Sequence, residues 1–225
     1  MEKAKENLEL IRHYFDDFNE LQLKQFAALE ELYKDWNSKI NVISRKDEVS
    51  LYEKHVLHSL SIAAVFYFKT GMSVLDLGTG GGFPGIPLAI YFPGVHFYLA
   101  DSIGKKIKVV QAVAEALGLK NITASNIRAE QIKGKKFDVI LSRAVAPLGE
   151  LWKWSKPLLN AKPGFLQQEP LADTLPVPHG LICLKGGDLS AEIAASGLRP
   201  RLMEIAELFK RDFFKGKYVL YVPFK

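Results

Sequence analysis

One cysteine, Cys183, occurs in 225 residues, which excludes an internal disulfide and leaves no cysteine-based metal site to build. Reducing, cytoplasmic conditions are the expectation. No apolar run approaches the roughly 20 residues that a membrane helix needs, so no membrane partner is expected. The opening residues "MEKAKENLEL" mix acids with lysines and lack a following apolar stretch, so no signal peptide is expected. No metal ligand cluster stands out either. What is present is an ordinary soluble composition, with 48% hydrophobic and 24% charged residues, enough to bury a real core.

Net charge is +5 but unevenly spread. Residues 1–70 carry ten Lys and Arg against twelve Asp and Glu, whereas residues 71–225 carry twenty against thirteen. A basic second part suits a polyanionic partner such as RNA, although solvation alone also accounts for such an excess. The texture changes at the same place. Residues 1–70 read as a helical extension, with Leu8, Ile11, Phe15, Phe26, Leu29, Leu32, Tyr33 and Trp36 mostly three or four apart. Asn19 and Gln22 form a capping box for a second helix, and "LYEKHVLHSLSIAAVFYF" reads as a third that runs to about Thr70.

From residue 71 short apolar strands alternate with helices: "SVLDLG", "VHFYLAD", "NITASN", "FDVILSRA" and "GLICLKGG" are strands. The helix after "VHFYLAD" is expected to have Ser102 as N-cap and Gly118 just past its end. "RLMEIAELF" and "KYVLYVPF" read as an antiparallel pair, and residues 160–180 as an insertion or long loop. The alternation specifies an α/β fold: a Rossmann-like, mostly parallel sheet with a C-terminal antiparallel pair and helices on both faces.

The stretch "SVLDLGTGGGFPGIPLAI" sets five glycines and two prolines in eighteen positions directly after the first strand. Ligands of open α/β sheets bind at the carboxyl ends of the strands. A phosphate-cradling loop is excluded, because Ile86–Pro87 follow Gly85 where Lys-Ser/Thr is needed. A nicotinamide fingerprint is formally present from Gly80 to Gly85, but Pro84 fits poorly in a backbone that must wrap a pyrophosphate. The third pattern, Asp76-x-Gly78-x-Gly80-x-Gly82, suits S-adenosylmethionine: bare backbone lies against the methionine portion and Asp76 can pair with its ammonium. Asp101, ending the next strand 19 residues after Gly82, can accept the ribose hydroxyls of either adenosine cofactor. Lys105, Lys106 and Lys108 open the following helix and, with Lys185, Arg45 and Lys46, are candidate RNA phosphate contacts. A solvated helix face explains that lysine run equally well. His55 reads more as a packed helix residue than a functional one. Trp152 and Trp154 are candidates to stack on bases, although helix packing explains them more readily, and Cys183 reads as inert core.

These residues resemble the class I methyltransferases. More narrowly, "YKDWNSKINVISRKD", "KHVLHSLSI", "GTGGGFPGIP", "LADSIGKKI", "NIRAEQI", "ILSRAVAPL" and "LKGG" resemble the bacterial small-subunit ribosomal RNA guanine-N7 methyltransferases, the glucose-inhibited division protein B family. The resemblance spans roughly residues 33–187. It implies S-adenosyl-L-methionine as cofactor, small-subunit ribosomal RNA or the small ribosomal subunit as partner, and cofactor contact by Gly78, Phe83, Ala129, Glu130 and Arg143. The family has an acid where "HVLHS" places His58, so His58 is given no role. No general base is assigned, since guanine N7 carries no proton. The competing readings are a methyltransferase for another RNA, a protein or a small molecule, a nicotinamide oxidoreductase, and a non-catalytic RNA-binding assembly factor.

Overall fold

The computed structural model describes residues 2–44, 50–143, 145–161 and 175–224. Arg45, Lys46 and most of the 160–180 insertion lie outside the described residues. Helices α1 (Glu2–Arg12) and α2 (Glu20–Lys39) are followed by a π-helical segment, Tyr52–Leu57, that continues into a single turn, α3 (His58–Leu60). Then come β1 (Ser73–Leu77), α4 (Gly85–Tyr91), β2 (His96–Asp101), α5 (Gly104–Ala116), β3 (Ile122–Asn126) and β4 (Val139–Arg143). The chain ends with α6 (Leu148–Ser155), β5 (Gly180–Gly186), α7 (Ser190–Ser196), β6 (Arg201–Glu204), α8 (Ile205–Leu208) and β7 (Lys217–Pro223).

The seven strands form one sheet in the order β3-β2-β1-β4-β5-β7-β6. Strands β1 to β5 pair in parallel, while β7 runs antiparallel to both β5 and β6. Strand order reverses between β1 and β4, which puts the crevice of the fold at their carboxyl ends. Period-two alternation divides the apolar residues between two faces. Val74, Phe97, Leu99, Val139, Leu141 and Ile182 share one core with α4, α5 and the N-terminal helices. Leu75, Leu77, Tyr98, Ala100, Ile140, Leu181 and Cys183 share the other with α6. Burial pushes the Cys183 thiol up to about 12, consistent with inert core.

The N-terminal helices are stitched to the sheet layer by polar groups as well as by packing. The capping box forms: Asn19 accepts from the Gln22 backbone N–H while the Gln22 side chain accepts from that of Asn19, both at 2.9 Å. Gln22 also donates to the Ile90 carbonyl, and Gln25 to that of Leu117, each at 2.9 Å. These carbonyls end α4 and α5 and have no partner within their own helices.

Three expectations are corrected. The third helix stops at Leu60 rather than near Thr70. Ser59 and Ser61 hydroxyls donate to the His55 and His58 carbonyls at 2.6 Å, and Ile62, Ala63, Val65, Phe66 and Phe68 are buried in succession, with no helical stripe to present. Ser102 does not cap α5, because the Asp101 carboxylate takes the Ile103 N–H at 2.8 Å and organises that turn. The segment read as one strand over "RLMEIAELF" turns helical after Glu204, sending Ile205 and Phe209, four apart, into the core. Gly118 does lie just past α5, with φ +66° and Leu119 donating to the Ala114 carbonyl at 3.0 Å.

Candidate active site

The loop after β1 owes its shape to alternate glycines. Gly78, Gly80 and Gly82 have φ of 72°, 59° and 99°, values that side-chain-bearing residues rarely adopt. The turn closes through Gly82 and Phe83 N–H donating to the Thr79 carbonyl at 2.9 and 3.0 Å. Beneath it, Asp76 is fully buried. Its Oδ2 accepts from the Thr79 hydroxyl at 2.6 Å and from the Gly85 N–H at 2.8 Å. Burial raises its pKa to about 6 despite these bonds. Gly85 is required because a Cβ there would lie 2.8 Å from both Asp76 Oδ2 and Leu99 Cγ.

The loop forms one wall of a cavity of about 600 Å³ at the carboxyl ends of β1, β2 and β4. Asp101 sits on its edge with both carboxylate oxygens anchored, Oδ2 by the Gly80 N–H at 2.9 Å and Oδ1 by Ile103. Ile103, Ile127 and Ala129 make an apolar wall, and Lys106, Arg128 and Arg143 supply cations. Ala129 and Glu130 belong to a 3-10 turn, Ala129–Gln131, that follows β3.

Arg143 ends β4 within an aromatic cluster. Its Nη2 lies 3.0 Å from His55 Nδ1, and its guanidinium lies 5.3 Å from the centre of the Phe83 ring. Phe83 packs against Tyr33 at 4.8 Å and His55 at 5.1 Å, and the Tyr33 hydroxyl donates to the Gly81 carbonyl at 2.6 Å. Burial raises the Tyr33 phenol well above its ordinary value.

The cavity thus gathers Gly78, Gly80, Phe83, Asp101, Lys106, Ala129, Glu130 and Arg143. Asp76 and Gly82 do not line it. Asp76 braces the loop from below, and a Cβ on Gly82 would meet Ile86 Cδ1 at 2.5 Å rather than a ligand. Lys105 lies exposed on α5. Lys185 is not a free cation: its Nζ binds Glu192 and the Ala146 carbonyl, which leaves its side chain 10% exposed. The sequence reading missed Tyr33, which looks like helix core, and Val42, which falls in a polar connector, and gave packing the greater weight at His55 and Trp154; Trp154 and Val42 border the cavity.

The cavity can be tested against an adenosine-type cofactor. A Cβ on Gly80 would meet nothing within 4 Å, so the bare backbone there faces open cavity. An apolar wall, an anchored carboxylate and cations suit a nucleoside carrying an amino-acid group.

Residues 22–168 match the family described as GidB, rRNA small subunit methyltransferase G. The chain belongs to that family. Among curated members, Ribosomal RNA small subunit methyltransferase G of Phocaeicola vulgatus is 53% identical over 96% of this chain and 98% of its own. That of Flavobacterium psychrophilum is 52% identical over 96% and 98%. Of solved structures, MtNAS in complex with MTA and tNA has a TM-score of 0.56 at 14% identity, over 97% of this chain and 82% of the other. The ribosomal protein L11 methylase of Lactobacillus delbrueckii subsp. bulgaricus gives 0.51 at 17%, over 75% and 77%. Likeness at such identities shows the fold alone, a mostly parallel α/β sheet ending in an antiparallel pair. This member of the GidB family keeps the loop, the anchored acid and the strand-end arginine in one place.

Proposed function

We propose that this GidB-family protein methylates N7 of a guanine in small-subunit ribosomal RNA, using S-adenosyl-L-methionine. The observation that carries the reading is the bare Gly80 backbone facing a 600 Å³ cavity, with its N–H bound to the Asp101 carboxylate on the cavity's edge. Bound there, S-adenosylmethionine would supply a sulfonium methyl group whose carbon accepts a nucleophile's lone pair as sulfur retains the C–S electrons. Asp101 would hold ribose hydroxyls, the turn Ala129–Gln131 would border the adenine, and Arg143 would face the carboxylate.

Guanine N7 offers an in-plane lone pair and no proton, so no general base is required of the chain. Its residues have instead to align the acceptor and exclude water, effects worth up to about 7–11 kcal/mol of barrier. The target guanine must be exposed or flipped to reach the cavity. Lys105, Lys106 and Lys108, at the start of α5 beside the cavity, are the proposed phosphate contacts. Residues 1–70 serve as a helical extension that braces the loop of a methyltransferase domain formed by residues 71–225. Among the described residues no helix is long and apolar enough to cross a membrane, and no group of three His, Cys, Asp or Glu could hold a metal ion.

The test is transfer of labelled methyl to small ribosomal subunits lacking the modification, with modified subunits as control. Label recovered as a single N7-methylguanosine supports the reading. Cofactor binding without label overturns it and leaves another methyl acceptor or a non-catalytic role.

A further inference from the structure

A second cavity, of about 570 Å³, opens at the carboxyl ends of β4 and β5. Arg143 and Val145 line both cavities, so the two meet across those side chains. The other charged groups on its wall are Lys185, Glu192 and Lys217. Glu192 is fixed rather than loose: Oε1 accepts from the Leu148 N–H, which opens α6, and from Lys185 Nζ. Both bonds fall on the same oxygen. Oε2 takes no hydrogen bond among the described residues, and the side chain remains 26% exposed.

A purine next to Arg143 must satisfy two conditions at once. Guanine carries two acceptors, N7 and O6, on one edge and donors, N1–H and the N2 amino group, on the far one. For N7 to face the cofactor cavity, the acceptor edge must lie toward Arg143 on the shared wall. The donor edge then points away from that wall, into a cavity whose one carboxylate is Glu192. Lys185 cannot compete for the base, being bound to Glu192 and Ala146.

We propose that this second cavity receives the target guanine and that Glu192 is its specificity residue, accepting hydrogen bonds from N1–H and the N2 amino group. The proposal rests on the guanine reading above. An adenine in the same pose would turn an unprotonated N1 toward the carboxylate, leaving two acceptors face to face. The contact also favours reaction. As N7 gains its methyl group the purine becomes a cation and its N1–H a stronger donor, so the bond to Glu192 tightens along the reaction path. Interactions that strengthen in this way accelerate the chemical step.

The test uses the full chain saturated with S-adenosylhomocysteine and three probes: guanosine 5′-monophosphate, its 7-methyl derivative and adenosine 5′-monophosphate. Calorimetry on the wild type should show both guanine nucleotides binding at least tenfold more tightly than the adenine nucleotide, the 7-methyl form most tightly. Glu192→Gln can keep the bond from Leu148 but turns an amide toward the base. It should lose tenfold or more in affinity for the guanine nucleotides and erase the preference. Thermal midpoint and S-adenosylhomocysteine affinity, measured alongside, should stay within about twofold and a few degrees of wild type. Glu192→Asp, which keeps the charge at shorter reach, should fall between the two. No guanine preference in the wild type, or its retention in Glu192→Gln, overturns the proposal. Methyl transfer to ribosomal subunits, run in parallel, separates the two readings. If wild type methylates no guanine yet binds the 7-methyl nucleotide through Glu192, the function fails and the site stands. If Glu192→Gln methylates at the wild-type rate, the site fails and the function stands.

Discussion

Arg143 Nη2 donates to His55 Nδ1 at 3.0 Å, joining the end of β4 to a helix 88 residues earlier. Arginine has no acceptor, so His55 Nδ1 must carry the lone pair and Nε2 the proton. The bond holds the guanidinium over the Phe83 ring, on the wall that the two cavities share. His55→Phe should therefore free Arg143 and lower kcat for methyl transfer by about ten- to a hundredfold, the scale of a hydrogen bond to a charged group. His55→Gln, which can still accept, should recover part of the loss. An unchanged kcat in His55→Phe would show that Arg143 needs no such support.

Gly80→Ala and Gly82→Ala should fail in different ways. Both place a side chain at positive φ, costing about 1–2 kcal/mol. At Gly80 the added methyl meets only cavity, so cofactor affinity should fall more than stability. At Gly82 it would lie 2.5 Å from Ile86 Cδ1 and 3.1 Å from the Tyr33 hydroxyl, so the protein itself should be the more destabilised. Urea unfolding and cofactor titration on both variants check the contrast.

Tyr33→Phe removes the 2.6 Å bond to the Gly81 carbonyl from a site where the ring is buried. The carbonyl is left without that donor, at a cost of about 1–3 kcal/mol. The expected result is a lower unfolding midpoint together with weaker cofactor binding, since the loop loses its anchor to α2. A loss in stability alone would show that the loop keeps its shape without Tyr33.

Two buried groups tilt stability against pH in opposite directions. Burial lowers the His58 pKa to about 3 from 6.5, with Arg143, Lys217 and His55 adding to the effect. His58 is thus neutral in the fold, and its contribution is complete above pH 6.5 and lost as pH falls toward 3, by about 4 kcal/mol. Asp76, raised from 3.8 to about 6 by burial, contributes fully below pH 3.8 and loses that contribution as pH rises through 6. Relative to wild type, His58→Met should flatten the fall in melting temperature from pH 6.5 to 4, and Asp76→Asn should steepen it. Melting curves across that range decide both signs.

Local requirements were readable in the chain. The alternate glycines declared a bare loop after the first strand, because the lack of side chains is a property of the residues themselves. Asn19 and Gln22 declared a helix start three residues long. The alternation of short apolar strands with helices gave the parallel sheet and placed Asp101 at a strand end. Where local pattern competed with burial, the reading failed. The run after Leu60 is apolar enough for a helix, yet Ser59 and Ser61 bond back to the His55 and His58 carbonyls and tertiary packing buries most of the rest outside a helix. Ser102 looks like a cap until the Asp101 carboxylate, beside it, takes the Ile103 N–H and sets the turn into the helix.

The sequence by itself determined the sheet, the bare loop after β1 and the family, since each depends on short-range order along the chain. Only the tertiary structure decided what the polar side chains do, because their partners come from distant segments. It put Asp76 beneath the loop rather than on the cavity wall and bound Lys185 to Glu192 instead of leaving it to a phosphate. It also brought His55 to Arg143 and Tyr33 to Gly81. A charge or hydroxyl acts according to the donor, acceptor and solvent around it, and those are assembled only when β1, β4 and the N-terminal helices pack together.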